Sequence, residues 1–513
     1  MNNHFRQQKT NTPEAWFSSL RYFANFARLD KQQISSVRIL AFSLITLTAI
    51  ALRLYISFSH DLILGVDGGY YPVQVRNILN TGFLSFKDVP LYFYFCASIV
   101  KGISFLGFTV TDDTIISVIK IVDSAALPLL AIPLYKLVTR KEQPVSIPAA
   151  LAILSFAILS FTPFFILGDL QKNAFAIPLA FIFILLLEDF LINPVRRKVI
   201  AVAISLVIIA LTHFGVFTFC LVFLIVSLFI CYRKNSILPS IILFFVGFGL
   251  IALFDINRAF RLITFWKVIF ERPAMLQGPL PLPLLMNVLF SYLLAGLGIF
   301  QLQKFKSRLD KASEYMVLTL IFLLAIFAFP FFDMEYFQRF NVLLFIPQLL
   351  LIAWLIRMNQ KFTFPLSFSL VLLTTLSIFM YFSEEKKPCI TNQTFQELQN
   401  IKKFLPENRE NTIVIASHGM EFWTAWALNV RVGQDRAMDK IGLENYSSVI
   451  LLQQKNEERQ GPLGGKATHK SRIGMAGHPP MGSGMDPRMG RPVTVNFKLM
   501  YSSSNLNAYQ KMK

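Results

Sequence analysis

Ionisable residues are scarce in this chain, and the densest early group of them lies between Val66 and Pro90. Asp67-Gly68-Gly69-Tyr70-Tyr71 is followed by Arg76 and then by Lys87-Asp88-Val89-Pro90, with largely apolar sequence around them. Where ionisable groups are costly, such a cluster marks a site of function. A carboxylate just outside a membrane span can act as general base on an acceptor hydroxyl or amine. Asp67 suits that role, because Gly68 and Gly69 allow close backbone approach to a ligand. Asp88 could share a metal with Asp67 or position the acceptor. The plain alternative is two solvated loop acids.

Later in the chain, polar residues recur at the ends of apolar runs. Gly168-Asp169-Leu170-Gln171-Lys172-Asn173 is a short turn in which Lys172 could meet a phosphate as a point charge, or mark a helix end. His213 interrupts a long apolar stretch, which fits a satisfied core histidine and a phosphate or metal contact equally well. Arg339, four residues after Glu335, could clamp a phosphate bidentately or pair with that glutamate. Lys120 and Asp123 share a helix face and read as a mutually satisfied pair, with Arg53 snorkelling outward.

The elements that must position these residues are membrane helices. The chain has 513 residues, 54% of them hydrophobic and only 15% charged, where a soluble domain is about a quarter charged. Apolar runs of about 18 or more residues recur from Val37 to Phe382, which predicts a polytopic, all-α membrane protein with about eleven spans. The net charge of +19 fits loops that face an anionic membrane surface, so no nucleic-acid partner is expected.

The first span is predicted over Val37–Ser59, and Tyr70–Asn80 reads as a short amphipathic helix lying on the membrane. Leu91–Phe108 is apolar but short, and it decides the topology. If it stays at the interface, the basic loops around Arg140/Lys141, Arg196/Arg197/Lys198, Arg233/Lys234, Lys304–Lys311 and Arg357/Lys361 all face the cytoplasm. If it crosses, all of them flip outside. The positive-inside bias therefore keeps it interfacial, and Asp67, Asp88, Asp169, Lys172, His213, Glu335 and Arg339 all fall on the outer side.

Four regions are expected. Residues 1–36 form a cytoplasmic N-terminal segment, and 37–382 form the transmembrane domain, with its first outer loop over 60–114. Residues 383–460 form a small extracytoplasmic α/β domain with strands at Thr412–Ala416 and Ser448–Gln453. Residues 461–513 form a disordered tail rich in Gly, Met and Pro, in which Arg491–Ser503 could pair as a final strand.

With these residues laid out, the chain resembles the GT-C superfamily of polyprenyl-phosphate-dependent glycosyltransferases. That group includes protein O-mannosyltransferases and the aminoarabinose transferase of lipid A. The resemblance is carried by Asp67-Gly68-Gly69-Tyr70-Tyr71, Arg76-Asn77-Ile78-Leu79, Asp88-Val89-Pro90-Leu91-Tyr92, Lys172-Asn173, Leu211-Thr212-His213 and Arg339-Phe340, over roughly residues 37–382. It departs from the family at Gly68, often a second acid there, and at Val89, often a second proline.

The resemblance implies that Asp67 and Asp88 are catalytic. It implies that Tyr70, Tyr71, Arg76, Lys172, His213, Glu335 and Arg339 bind substrate or the donor phosphate. A divalent metal, if used, would sit on Asp67, Asp88 and His213. The implied partners are a polyprenyl-phosphate-linked sugar, a glycan, lipid or protein acceptor, and membrane lipids. The implied setting is a bacterial inner membrane, with the site facing the periplasm. A transporter, flippase or polysaccharide polymerase is the competing class. A transporter predicts polar groups at mid-membrane, whereas here they gather at helix ends. If the topology is right, single cysteines placed at Arg197 and Lys306 label from the cytoplasmic side, and external labelling of both would overturn it.

Overall fold

Long apolar helices dominate the computed structural model. It describes residues 36–139, 145–232, 237–257, 282–305, 311–383, 386–407, 409–435, 441–455 and 497–512, with residue 438 and scattered positions between 259 and 307. Residues 1–35 of the N-terminal segment, 456–460 of the expected α/β domain and 461–496 of the expected tail lie outside the described residues.

Eight helices are long and apolar enough to cross a membrane: Ile39–Phe58, Asp112–Thr139, Ile147–Phe165, Gln171–Ile192, Phe214–Cys231, Leu284–Phe305, Tyr336–Met358 and Gln360–Phe382. Fewer helices have that length and apolarity than the eleven or so spans expected, eight among the described residues. Three further helices stand where spans were expected, at Arg196–Thr212, Ile237–Phe254 and Lys311–Phe327. The first and last have 17 residues each and start on basic residues, so they reach about 26 Å against a hydrocarbon core of about 30 Å. Leu91–Phe105 has 15 residues and is shorter still.

Beyond the last long helix lies a small α/β unit. Its sheet has the order β2-β1-β3-β5-β4, with β1 at Thr412–Ala416, β2 at Arg431–Gln434, β3 at Ser448–Gln454, β4 at Phe497–Ser502 and β5 at Leu506–Lys511. β1 pairs in parallel with both β2 and β3 and is buried at every position, as its unbroken Thr-Ile-Val-Ile-Ala run requires. β4 and β5 form an antiparallel hairpin on the edge of β3. Residues 497–512 of the expected tail therefore complete the sheet, the first strand within the strand expected at Arg491–Ser503. The apolar positions Leu506 and Ala508 alternate into the core, a period of two that the short segment hides among polar residues.

Two main hydrophobic cores divide the molecule. One fills the helix bundle. The other joins the first loop to the appendage, packing Tyr71, Val75, Ile78, Tyr92 and Phe93 with Leu398, Val414, Trp423, Ile450 and Leu506. A shared core puts the loop and the appendage on one face of the membrane. An even number of crossings must then separate them. Seven of the eight long helices lie between the two, so an odd number of the four shorter helices, Leu91–Phe105 among them, would have to cross as well.

Within the bundle, the expected Lys120–Asp123 pair is not the one that forms. Lys120 reaches back to donate to the His60 and Asp61 carbonyls at 2.5 and 2.9 Å. Asp123 lies 3.6 Å from Arg53, which is fully buried rather than snorkelling. Arg53 also donates to the carbonyls of Asp123 (3.0 Å), Ser124 (3.2 Å) and Pro163. The pairing follows from packing, since the first helix lies against Asp112–Ala126 and brings a long side chain to a buried acid. Arg53→Ala strands that acid and three carbonyls and should cost about 3–5 kcal/mol. Lys120→Ala should cost less, because its partners lie nearer the surface. Thermal unfolding of the two purified variants in detergent would test this, and equal melting temperatures would refute it.

Candidate active site

Asp67 sits in the turn that leads into the helix Tyr70–Thr81. Its backbone N–H donates to Asp169 Oδ1 at 3.1 Å. Asp169 is held in turn by Lys386, 3.1 Å from its Oδ2, and by the Tyr71 hydroxyl, which donates to its carbonyl at 2.8 Å. The Gln171 N–H closes the arrangement on Tyr71 Oη at 3.1 Å. One turn between two spans therefore fixes the backbone of the proposed catalytic loop.

Asp88 is completely buried and both its oxygens are occupied. Lys172 forms an ion pair with Oδ2, the Tyr70 hydroxyl donates to the same oxygen at 2.5 Å, and the Val89 N–H donates to Oδ1 at 2.7 Å. Gln74 donates to Tyr70 Oη at 3.0 Å and steadies it. The Lys172 ammonium also lies 5.7 Å and 5.5 Å from the ring centres of Tyr70 and Phe93, within reach of their π faces.

The appendage supplies the other wall. His418 follows the carboxyl end of β1, between neighbours β2 and β3 on opposite sides, and in open parallel sheets that edge is where ligands bind. His418 Nδ1 lies 3.0 Å from Glu421 Oε1, which also accepts from Gln434 at 2.8 Å. The helix Met420–Leu428 packs on the loop so closely that a Cβ on Gly69 would sit 2.7 Å from the Trp423 nitrogen. Gly69 thus admits protein backbone, where the sequence suggested a ligand. Arg76 donates to the Trp426 and Ala425 carbonyls at 2.8 and 3.0 Å and lies 4.1 Å from the Trp426 ring centre. It caps the end of that helix, and Asp112 lies 3.9 Å away.

Asp67 differs electrostatically from an ordinary loop acid. Burial, together with the carboxylates of Asp169 and Glu421, pushes its carboxyl up to about 6, against the opposing pull of His418 and Lys172. That places its proton affinity near the range in which a base works well at neutral pH.

The structure thus gathers Asp67, Tyr70, Tyr71, Asp88 and Lys172 into one cluster. It engages Arg76 with the appendage. His213 accepts the Val216 N–H at 3.2 Å and starts the helix Phe214–Tyr232. Arg339 is exposed near the start of Met334–Met358, and the Glu335 side chain lies outside the described residues. Sequence reasoning missed Lys386, hidden in the charge run Glu384-Glu385-Lys386-Lys387, and the His418–Glu421 pair. The signal for the latter was available: a histidine between a buried strand and a helix stands where such folds place ligands.

Asp67, Asp88 and His213 do not fit a shared metal. Asp88 already has an ammonium and two hydrogen-bond donors, and among the described residues no three His, Cys, Asp or Glu side chains are grouped as a metal requires.

In fold, the chain is similar to an oligosaccharyltransferase. The solved structure of that enzyme from Archaeoglobus fulgidus, in complex with zinc and sulfate, matches 81% of this chain and 68% of its own with a TM-score of 0.50 at 13% identity. The likeness is one of fold, a bundle of long apolar helices with a small C-terminal sheet. No family model and no curated protein matches the chain.

The raised Asp67 carboxyl has a consequence for stability. A group bound more tightly to its proton in the fold stabilises at low pH, and that contribution is lost as pH rises through the folded value. Asp67→Asn, which cannot ionise, should therefore melt higher than the parent protein at pH 8 and no higher at pH 4. A lower melting point at pH 8 would show that the ionised carboxylate is a structural anchor instead.

Proposed function

We propose that this protein is a membrane glycosyltransferase that moves a sugar from a polyprenyl-phosphate-linked donor to an acceptor at the outer face. The observation that carries the reading is Asp67. It is a half-buried carboxylate with a raised proton affinity, held by its backbone at the junction of loop, bundle and appendage. The likeness to an oligosaccharyltransferase fold supports the same class.

In the proposed reaction an acceptor hydroxyl or amine loses its proton to Asp67 as its oxygen or nitrogen bonds to the anomeric carbon. The bond from that carbon to the phosphate oxygen breaks, and polyprenyl phosphate leaves with the electron pair. Cationic groups that meet the developing phosphate charge lower the barrier. Arg339, exposed at a helix start, and His213 are the groups we assign to it. Tyr70, Tyr71 and Lys172 surround the two acids, and Arg76 holds the appendage against the loop. The setting we propose is a bacterial inner membrane.

The test is transfer from radiolabelled polyprenyl-phosphate sugars in proteoliposomes. Asp67→Asn is nearly isosteric and should fold, yet lose about 10²–10⁴-fold in rate, the usual contribution of a general base. Parent activity should rise with pH through about 6, because only the deprotonated carboxylate can accept a proton. Near-normal turnover in a folded Asp67→Asn would remove the loop from the chemistry and favour a transporter.

A further inference from the structure

Two loop acids flanking a reaction centre invite a divalent cation between them. Here the geometry shows a different occupant. Lys172 enters from the helix Gln171–Ile192, 84 residues away in sequence from Asp88, and its ammonium pairs with the buried carboxylate. Two further donors meet the same carboxylate, since the Tyr70 hydroxyl shares Oδ2 and the Val89 N–H bonds Oδ1. The aromatic rings of Tyr70 and Phe93 enclose the ammonium, which favours an organic cation over a hydrated metal ion. Lys172 also lies near enough to Asp67 to favour its charged form.

We propose that Lys172 is the built-in cation of this site: its ammonium takes the position between the two loop acids that a divalent metal would otherwise fill, and it closes Asp88 to metal. Lys172 is then a positioning residue. It compensates the buried charge of Asp88 and orders the Tyr70–Gln74 contacts beside Asp67.

The inference bears on the glycosyltransferase reading, but it can be tested without any turnover, so the two can fail separately. The protein is purified, stripped with EDTA, and its melting temperature is followed with Mg²⁺, Mn²⁺ or Zn²⁺ added alone, with bound metal measured after dialysis. The parent protein should show no cation-dependent shift and hold well under one equivalent of metal. Lys172→Ala bares Asp88 and should melt lower, with part of the loss restored by Mn²⁺, because a ligand that binds only the folded state raises its stability. Lys172→Arg keeps a cation and should remain indifferent to metal.

Stoichiometric metal in the parent protein, with a rise in melting temperature that Asp88→Asn abolishes, would overturn the proposal. So would a Lys172→Ala variant that melts like the parent. If Lys172→Ala fails to fold, the parent and Lys172→Arg measurements still decide. Loss of sugar transfer without any of these results would count against the functional reading alone.

Discussion

The site depends on how Asp169 is held. This residue accepts from the Asp67 backbone and from the Tyr71 hydroxyl, and it pairs with Lys386 just after the last span. Its neighbour Gly168 donates to Asp123 at 2.7 Å, and Asp123 is the partner of the buried Arg53. One hydrogen-bonded chain therefore runs from a charge inside the bundle to the loop at its surface. Gly65 makes the approach possible. Its φ is +82°, and a Cβ there would fall 1.9 Å from Asp169 Oδ1. No other residue type fits that position without displacing the acid that fixes Asp67.

The cluster is also a lesson in compensation. Lys172 answers Asp88, Lys386 answers Asp169, and His418 faces Glu421. Buried charges without partners cost several kcal/mol, and such pairing is what lets them persist. Asp67 stands apart, since burial and two neighbouring carboxylates disfavour its charge. A group whose environment drives its proton affinity away from that of its neighbours is a candidate for proton transfer. Asp88, the other loop acid, is held by an ammonium, a hydroxyl and an amide. Two acids of the same loop thus have different surroundings and are suited to different roles.

Much of this was legible in the sequence. The apolar runs foretold the helices, Tyr70–Asn80 anticipated Tyr70–Thr81, and Thr412–Ala416 was placed at its observed bounds. Periodicity and composition carry that information locally. Partner choice is not local. Lys120 lies three residues from Asp123, and helical spacing favoured that pair, yet packing between helices delivered Arg53 instead. The resemblance implied that Arg76 binds substrate or the donor phosphate. Its acceptors are carbonyls about 350 residues away — a separation no local pattern can bridge. Of the hairpin Phe497–Lys511, the first strand fell within the strand expected at Arg491–Ser503, while the second was missed because its partner β3 lies beyond a long polar stretch.

That long-range pairing explains why a small sheet should follow a membrane domain at all. The loop helix Tyr70–Thr81 has only 12 residues, and isolated helices shorter than about 12–15 residues are marginal in water. Its stability must come from burial, and its buried face, Tyr71, Val75 and Ile78, is covered in a core shared with the appendage. Trp423, fully buried, and Trp426 provide much of that cover, and Arg76 fastens the helix that carries them. A catalytic constellation works only if its first contacts are held to within about half an ångström. The appendage provides that rigidity from the far end of the chain. It also brings His418 and Glu421 to the same place, so the sheet both orders the loop and shapes the electrostatic field in which Asp67 takes up its proton.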